Sequence, residues 1–314
     1  MSAATDGHPQ AAAGGGFDLG VRSYHGRPVL KAPVWKPEIP WYFFIGGMAG
    51  ASAPLALAAE ATGKRALSRR AWLLALGGAG ISPVLLISDL GRPERFHHML
   101  RVFKVTSPMS VGSWALAGFG TATGIAVGHD LLGLPGRAAK PAAAVLGPVV
   151  STYTAALLAD TAVPLWHEAR AELPFLFAAT SAASAGAALL LVTPPEEAAP
   201  ARRMAIAGAF GALGLLQAME KRLGELGEPY REGEAGRFGR AAKTLTAAGG
   251  LGLVAFGRKS RAAAAVSAGA LLAGAALERW SVFRAGFQSA ADPKYVIRPQ
   301  RERADASAAA AGAG

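Results

Sequence analysis

The chain has 314 residues, of which 52% are hydrophobic and only 17% charged, against about 25% charged in an ordinary soluble domain. Cysteine is absent, which excludes a thiolate-held iron–sulfur cluster, a disulfide and a thiol nucleophile. The net charge of +11 is carried by arginines and lysines that flank apolar runs, as topology signals and lipid contacts do, and argues against a nucleic-acid partner.

Residues 1–20 are Ala, Gly and polar, without the basic segment and apolar core of a secretory signal. They and the closing RADASAAAAGAG are predicted to be disordered tails. The organisation expected is an interfacial segment over 1–38, a membrane domain over 39–280 and an interfacial segment with a tail over 281–314.

A membrane span needs about 20 apolar residues. Five stretches qualify in order: Ile39–Ala59, Ala71–Leu90, Met109–Gly128, Pro141–Trp166 and Leu173–Val192. Three shorter ones, Met204–Met219, Ala241–Gly257 and Ala262–Leu277, have basic flanks that can snorkel and extend them. The fold class predicted is therefore an all-α integral membrane protein of eight helices without a soluble domain. An even count puts both termini on one side, side A, together with the longer loops and most of the 32 Lys and Arg. Side B has short hairpins only, so a partner docks on side A. Pro54, Pro83 and Pro148 fall inside spans and kink them. The pairs Gly46/Gly50, Gly120/Gly124 and Gly124/Gly128 suit close helix crossings.

Ionisable groups at membrane depth are costly and ask for a reason. Glu60 and Asp89 fall near the ends of the first two spans, His129 and Asp130 near the end of the third, and Glu278 just after the last. A solvated or paired helix end explains each of these as well as a function does. Asp160 falls within the fourth predicted span, with Tyr153 seven residues earlier on the same helical face. That pair could bind a polar head group or pass a proton, although Tyr153 could equally be an interface anchor. In SDLGRPERFHHM (88–99), Gly91 and Pro93 end a helix, and Arg92 and Arg95 are close enough to pair with Asp89. His97 and His98 are adjacent, so on a helix they point about 100° apart and cannot share one metal. Pro108 can begin the next helix with Ser107 as its cap. A basic interfacial loop whose acid locks an arginine explains this stretch without any ligand.

The stretches PWYFFIGGMAGASA (40–53), LLISDLGRPERFHHMLRVFKVTSPMSVGSW (85–114), STYTAALLADTAVPLW (151–166) and FRAGFQSAADPKYVI (283–297) resemble the NrfD/PsrC-like membrane subunits of molybdopterin oxidoreductases, with polysulfide reductase as prototype. GRPVLKAPVWKPEIP (26–40) is similar to members found with formate-dehydrogenase-like catalytic subunits. The resemblance implies two four-helix bundles with no haem and no iron–sulfur cluster in this chain. It implies a multi-pass subunit of the bacterial cytoplasmic membrane that passes electrons between menaquinone or ubiquinone and a ferredoxin-like iron–sulfur subunit. A molybdopterin catalytic subunit would lie beyond that one, and the reacting centre of the partner enzyme would not be in this chain.

By the same resemblance Tyr153, Asp89, Arg92 and Arg95 would bind the quinone. Asp89, Asp160, Glu60 and Glu278 would transfer protons. The chain departs from the family pattern at Ala155, where a glycine is usual, and in having no histidine in its first span. His25 precedes the membrane, so Glu38 or Trp41 would take that role. Two other classes stay open on residues alone: a proton-coupled transporter, although no matched pair of broken helices stands out, and a purely structural membrane anchor. A haem-bearing cytochrome would need a histidine pair, and only His129 lies well inside the apolar runs.

Overall fold

The structure, a computed structural model, describes residues 30–297. Both predicted tails and His25 lie outside these residues. Among the described residues there are eight long helices and no strand. They are α1 (Glu38–Ala61), α2 (Arg65–Asp89), α3 (Pro108–Leu132), α4 (Ala139–Ala159), α6 (Leu173–Val192), α7 (Ala199–Leu223), α8 (Gly233–Phe256) and α9 (Arg261–Ala291), with the five-residue α5 (Pro164–Glu168) between α4 and α6. All but α7 and α8 of the eight are apolar and long enough to cross a membrane. Those two, of 25 and 24 residues, carry cations toward their ends: Arg202, Arg203, Lys221 and Arg222 on α7, and Arg237 and Arg240 in the N-terminal third of α8.

Neighbours in sequence are neighbours in space. Helices α1–α4 close one bundle, with α1 against both α2 and α4, and α6–α9 close a second. The two meet where α6 packs on α1 and α4, and α9 on α1. The connections at one end are short, at 62–64, 133–138, 193–198 and 257–260, while those at the other carry the 3-10 turns and α5. That asymmetry matches sides B and A.

Helix ends follow the local rules expected of them. The Ser107 side chain accepts from the Ser110 N–H at 3.4 Å, with Pro108 in the first turn of α3. Pro54 removes the N–H that the Gly50 carbonyl would otherwise accept. That carbonyl is buried against α4: a Cβ at Gly147 would lie 2.2 Å from the Gly50 oxygen, so only glycine permits the crossing. The glycines of α3 behave differently from expectation. A Cβ at Gly124 would have nothing within 4 Å, so Gly120/Gly124 and Gly124/Gly128 are not tight crossings.

Two spans differ from their predicted limits. The run Pro141–Trp166 is not one helix, because α4 stops at Ala159 and the chain turns before α5. Pro164, which has no N–H to give, then serves as the first residue of α5. At the other end, α9 continues fourteen residues past Leu277 to Ala291, well beyond the predicted end of the last span. The polar residues that suggested an end are buried in the core instead.

Side A is laced together outside the membrane. Arg222 reaches the Glu172 carboxylate, its Nη2 donating to Oε2 at 2.7 Å, and Glu228 Oε2 accepts from Lys294 Nζ at 2.7 Å and from the Tyr295 hydroxyl at 2.9 Å. The bonds from Lys294 and Tyr295 hold the Glu228 carboxyl below its usual range. Its bond to Glu228 raises Lys294, and burial, with the bond to Glu228, pushes Tyr295 up to about 12. A depressed carboxyl contributes stability above its unfolded value that is lost as pH falls through the folded one. The raised lysine and tyrosine contribute below their unfolded values and lose it as pH rises. The protection of the amides over Lys294–Ile297, the exchange rate divided into the intrinsic rate at the same pH, is therefore expected to be greatest on a plateau from about pH 5 to about pH 10, the ordinary glutamate and tyrosine limits, and to fall on either side.

Candidate functional site

The side A half of the first bundle collects the polar groups singled out above. Tyr153 lies six residues before the end of α4, about 9 Å into the bundle at 1.5 Å per residue. Its ring covers Gly112 of α3 so closely that a Cβ there would lie 1.9 Å from Tyr153 Cε2. On its other side it meets the Tyr42 ring of α1 edge to face, with centroids 6.5 Å apart. A Cβ at Gly46 would stand 3.2 Å from Ser82 Oγ of α2 and 3.4 Å from Tyr42 Cε2, so Ser82 belongs to the same cluster. All four helices of the bundle contribute a residue at similar depth.

This cluster has unspent hydrogen-bonding capacity. Among the described residues the Tyr42 hydroxyl, Ser82 Oγ and Glu38 Oε2 are buried without a partner, and each unpaired buried polar atom costs about 1–3 kcal/mol. Tyr42 and Ser82 keep 1% and 0% of their exposure, whereas Tyr153 keeps 8%. Hydroxyl donors left unpaired within one cluster suit a ligand that brings acceptor oxygens. Next to the cluster an apolar groove of about 190 Å³ runs between α2 and α3, lined by Pro83, Leu86, Phe96, Leu100, Ser113 and Leu116 among others. Ser82 and Gly112 are the chain neighbours of Pro83 and Ser113, so groove and cluster share their backbone walls. Gly112→Ala is expected to push Tyr153 out of register and to cost about 1–3 kcal/mol, as overpacking does, read by thermal unfolding of the solubilised chain.

The remaining predicted residues are placed as follows. Asp89 pairs with neither arginine. Its Oδ1 accepts from the Lys36 backbone N–H at 2.8 Å, and Lys36 Nζ donates to the Ser88 carbonyl at 3.2 Å. The acid thus sits at the N-terminal end of α1, where the helix dipole favours a negative charge, and ties the segment before α1 to the end of α2. Arg92 and Arg95 are exposed on the 3-10 turn Pro93–Leu100, while Phe96, Met99 and Leu100 of that turn face the groove. Trp41 does not stand in for a first-helix histidine, since it is 44% exposed and packs edge to face on Trp280. Glu38, one turn before Tyr42, is on the right face. Asp160 is not inside a helix but caps the end of α4 and is exposed.

Glu60 is on side B, away from Tyr153. Its Oε2 accepts from Lys140 Nζ at 2.8 Å, and Asp130 Oδ1 receives the same ammonium at 2.6 Å. Lys140 is only 4% exposed, so this triad fastens α1, α3 and α4 together. Glu278, predicted at a helix end, is inside α9 and 2% exposed. Neither of its oxygens has a hydrogen-bond partner among the described residues, the Thr180 hydroxyl being spent on the Leu176 carbonyl. Arg279 Nη1 lies 3.5 Å from Glu278 Oε2. Its Nη2 donates to the Phe177 carbonyl at 2.9 Å and to Ser181 Oγ at 3.1 Å, and the guanidinium stands 3.6 Å over the Phe177 ring. A cavity of about 10 Å³, the room of one water, joins Glu278 to Tyr230, Glu220 and Lys243.

Tyr42, Ser82, Gly112 and Arg279 were not foreseen. The glycine in MSVGSW and the adjacent opposite charges in LERW (277–280) were the visible signals, but neither says which helix will face it.

These features define a multi-pass, all-α membrane protein of two four-helix bundles, with a polar cluster near one face of the first. Residues 27–220 match the family described as polysulphide reductase, NrfD. That match spans the whole first bundle and reaches into α7, and the chain belongs to the NrfD family. No curated protein matches it.

Proposed function

We propose that the chain is the quinone-interacting membrane subunit of a redox complex in the bacterial cytoplasmic membrane. It would pass electrons between menaquinone or ubiquinone and a ferredoxin-like iron–sulfur subunit that serves a molybdopterin enzyme. The observation that carries the reading is the set of partnerless hydroxyls around Tyr153, set against an apolar groove of the kind an isoprenoid tail occupies. A bound quinone supplies the two-electron, two-proton chemistry. Tyr153, with Tyr42 and Ser82, donates hydrogen bonds to its oxygens and stabilises charge that develops there. Glu38 and Asp89, near the side A surface, are placed to take or return the protons. Arg92 and Arg95 add positive potential at the same face.

The partner's place is supported by side A itself. Val102, Phe103 and Val105 are exposed at 69%, 57% and 74%, beside Arg92, Arg95, Arg101 and Lys104. An apolar patch rimmed by cations suits an acidic iron–sulfur protein. Glu278, with its water-sized cavity toward Tyr230 and side A, supports a proton route into the second bundle. Asp160 and Glu60 are weaker members of such a route, one exposed and the other held by Lys140. A purely structural anchor would tolerate Tyr153→Phe as long as the complex assembles, whereas a quinone subunit would not. Quinone turnover by the assembled complex, measured after co-purification confirms the partner subunits, separates the two.

A further inference from the structure

On side B the second bundle opens into a cavity of about 430 Å³ between the ends of α6 and α8 and the starts of α7 and α9. Its charged lining is cationic, with Arg202, Arg258, Lys259 and Arg261, and Thr193 and Ser260 are its neutral polar residues. Arg203 and Arg258 are both close enough to repel Arg202. Arg202 Nη1 donates to the Gly257 carbonyl at a long 3.4 Å. Among the described residues no carboxylate lines the cavity. Of the two carboxylates beside lining residues, Glu197 spends its Oε2 on the Leu67 N–H of the first bundle at 3.1 Å, and Glu196 is exposed and outside the lining. Arg258, Lys259 and Arg261 are exposed and Arg202 is half-buried, so an anion in the cavity would offset the repulsion on Arg202 most of all.

The cavity is also built for a bound group. Thr193 is 2% exposed, lines the cavity, and its hydroxyl has no hydrogen-bond partner among the described residues. The dipole ends of α7 and α9 that face side B are both N-terminal and favour negative charge. The remaining wall is apolar, formed by Leu190, Leu191, Ala264 and Ala265. Leu191 and its neighbour Val192 are 38% and 54% exposed, at the level where a membrane helix meets the headgroups. Cations above and exposed leucine below match a phosphate group attached to acyl chains.

We propose that this cavity binds the phosphate of an anionic phospholipid, held by Arg202, Arg258 and Arg261 with the Thr193 hydroxyl donating to a phosphate oxygen. The lipid would close the side B end of the second bundle as the Lys140 triad closes that of the first. The site is independent of the quinone reading, since it is on the opposite face and in the other bundle.

The test uses the full chain, purified and delipidated in a neutral detergent, with bound lipid counted by native mass spectrometry. Mixed micelles containing phosphatidylglycerol are expected to leave one lipid bound, and those containing phosphatidylcholine none. Arg202→Gln with Arg258→Gln should weaken retention about tenfold or more, given about 1 kcal/mol per basic residue near an anionic surface. Arg137→Gln, which removes an exposed side B charge from the first bundle, should leave it unchanged. Thr193→Val should weaken it severalfold without loss of the folded state. Equal retention of the two lipids, or equal loss with Arg137→Gln, overturns the proposal. Competition by millimolar inorganic phosphate as effective as that by the lipid would also overturn it, by assigning the cavity to a free anion.

Discussion

Tyr153→Phe is expected to lower quinone turnover by the assembled complex about 10²- to 10³-fold, the range for losing one donor aimed at a developing oxyanion. The substitution is a clean one here. Phenylalanine keeps the ring that covers Gly112 and meets Tyr42, so the packing of α3 and α4 on α1 is preserved. The hydroxyl bonds to no other described residue, and its loss should change thermal stability by no more than about 0.5 kcal/mol. A large loss of rate with an unchanged unfolding temperature and unchanged subunit co-purification is the signature. Unaltered turnover would remove Tyr153 from the site. Tyr42→Phe provides a second reading of the same cluster, because its hydroxyl is wholly buried and partnerless. If no ligand ever reaches it, that change should stabilise the protein, since it deletes an unsatisfied polar atom.

Arg279→Met should produce the largest change in stability, a loss of about 3–5 kcal/mol, because it strands a buried carboxylate. Arg279 is 1% exposed, and its guanidinium satisfies the Phe177 carbonyl and Ser181 while lying over the Phe177 ring. It stands at the junction of the bundles, where a Cβ on Gly47 of α1 would be 3.5 Å from Nη2. The double variant Glu278→Gln with Arg279→Met removes both charges and should recover much of the loss, with Glu278→Gln alone milder than Arg279→Met. Thermal unfolding of the four proteins in one detergent completes the cycle. Additive losses would show that the two side chains do not compensate one another. If Glu278 carries protons through the second bundle, the Gln variant should keep quinone turnover and the two protons each turnover consumes, while losing any proton movement beyond that stoichiometry.

Eight helices, their order and the two unequal faces were legible because each depends on local quantities: the length of an apolar run, the charges at its ends and the turn residues between runs. Tyr153 and Asp89 could be singled out for the same reason, as polar groups in or beside such runs. What each one touches was not legible. Asp89 faces Lys36 and not Arg92, because the segment before α1 folds across the end of α2, a pairing 53 residues apart. Glu278 looked like a helix end because hydropathy falls at that point. It is instead buried, because Arg279 beside it makes a polar step in α9 tolerable by bonding α6. Asp160 looked buried because the apolar letters continue past it, and only the break before Pro164 brings it to the surface.

The sequence by itself determined a membrane protein of eight helices with its longer loops on one side. Which hydroxyls, charges and glycines come together was decided by helix rotation and crossing, and those are set jointly by every helix in a bundle. A linear apolar pattern carries little of that information, since α1 and α3 have almost no polar face to orient them. Only close contacts such as Gly50 on Gly147 and Gly112 under Tyr153 select the rotation that gathers the site.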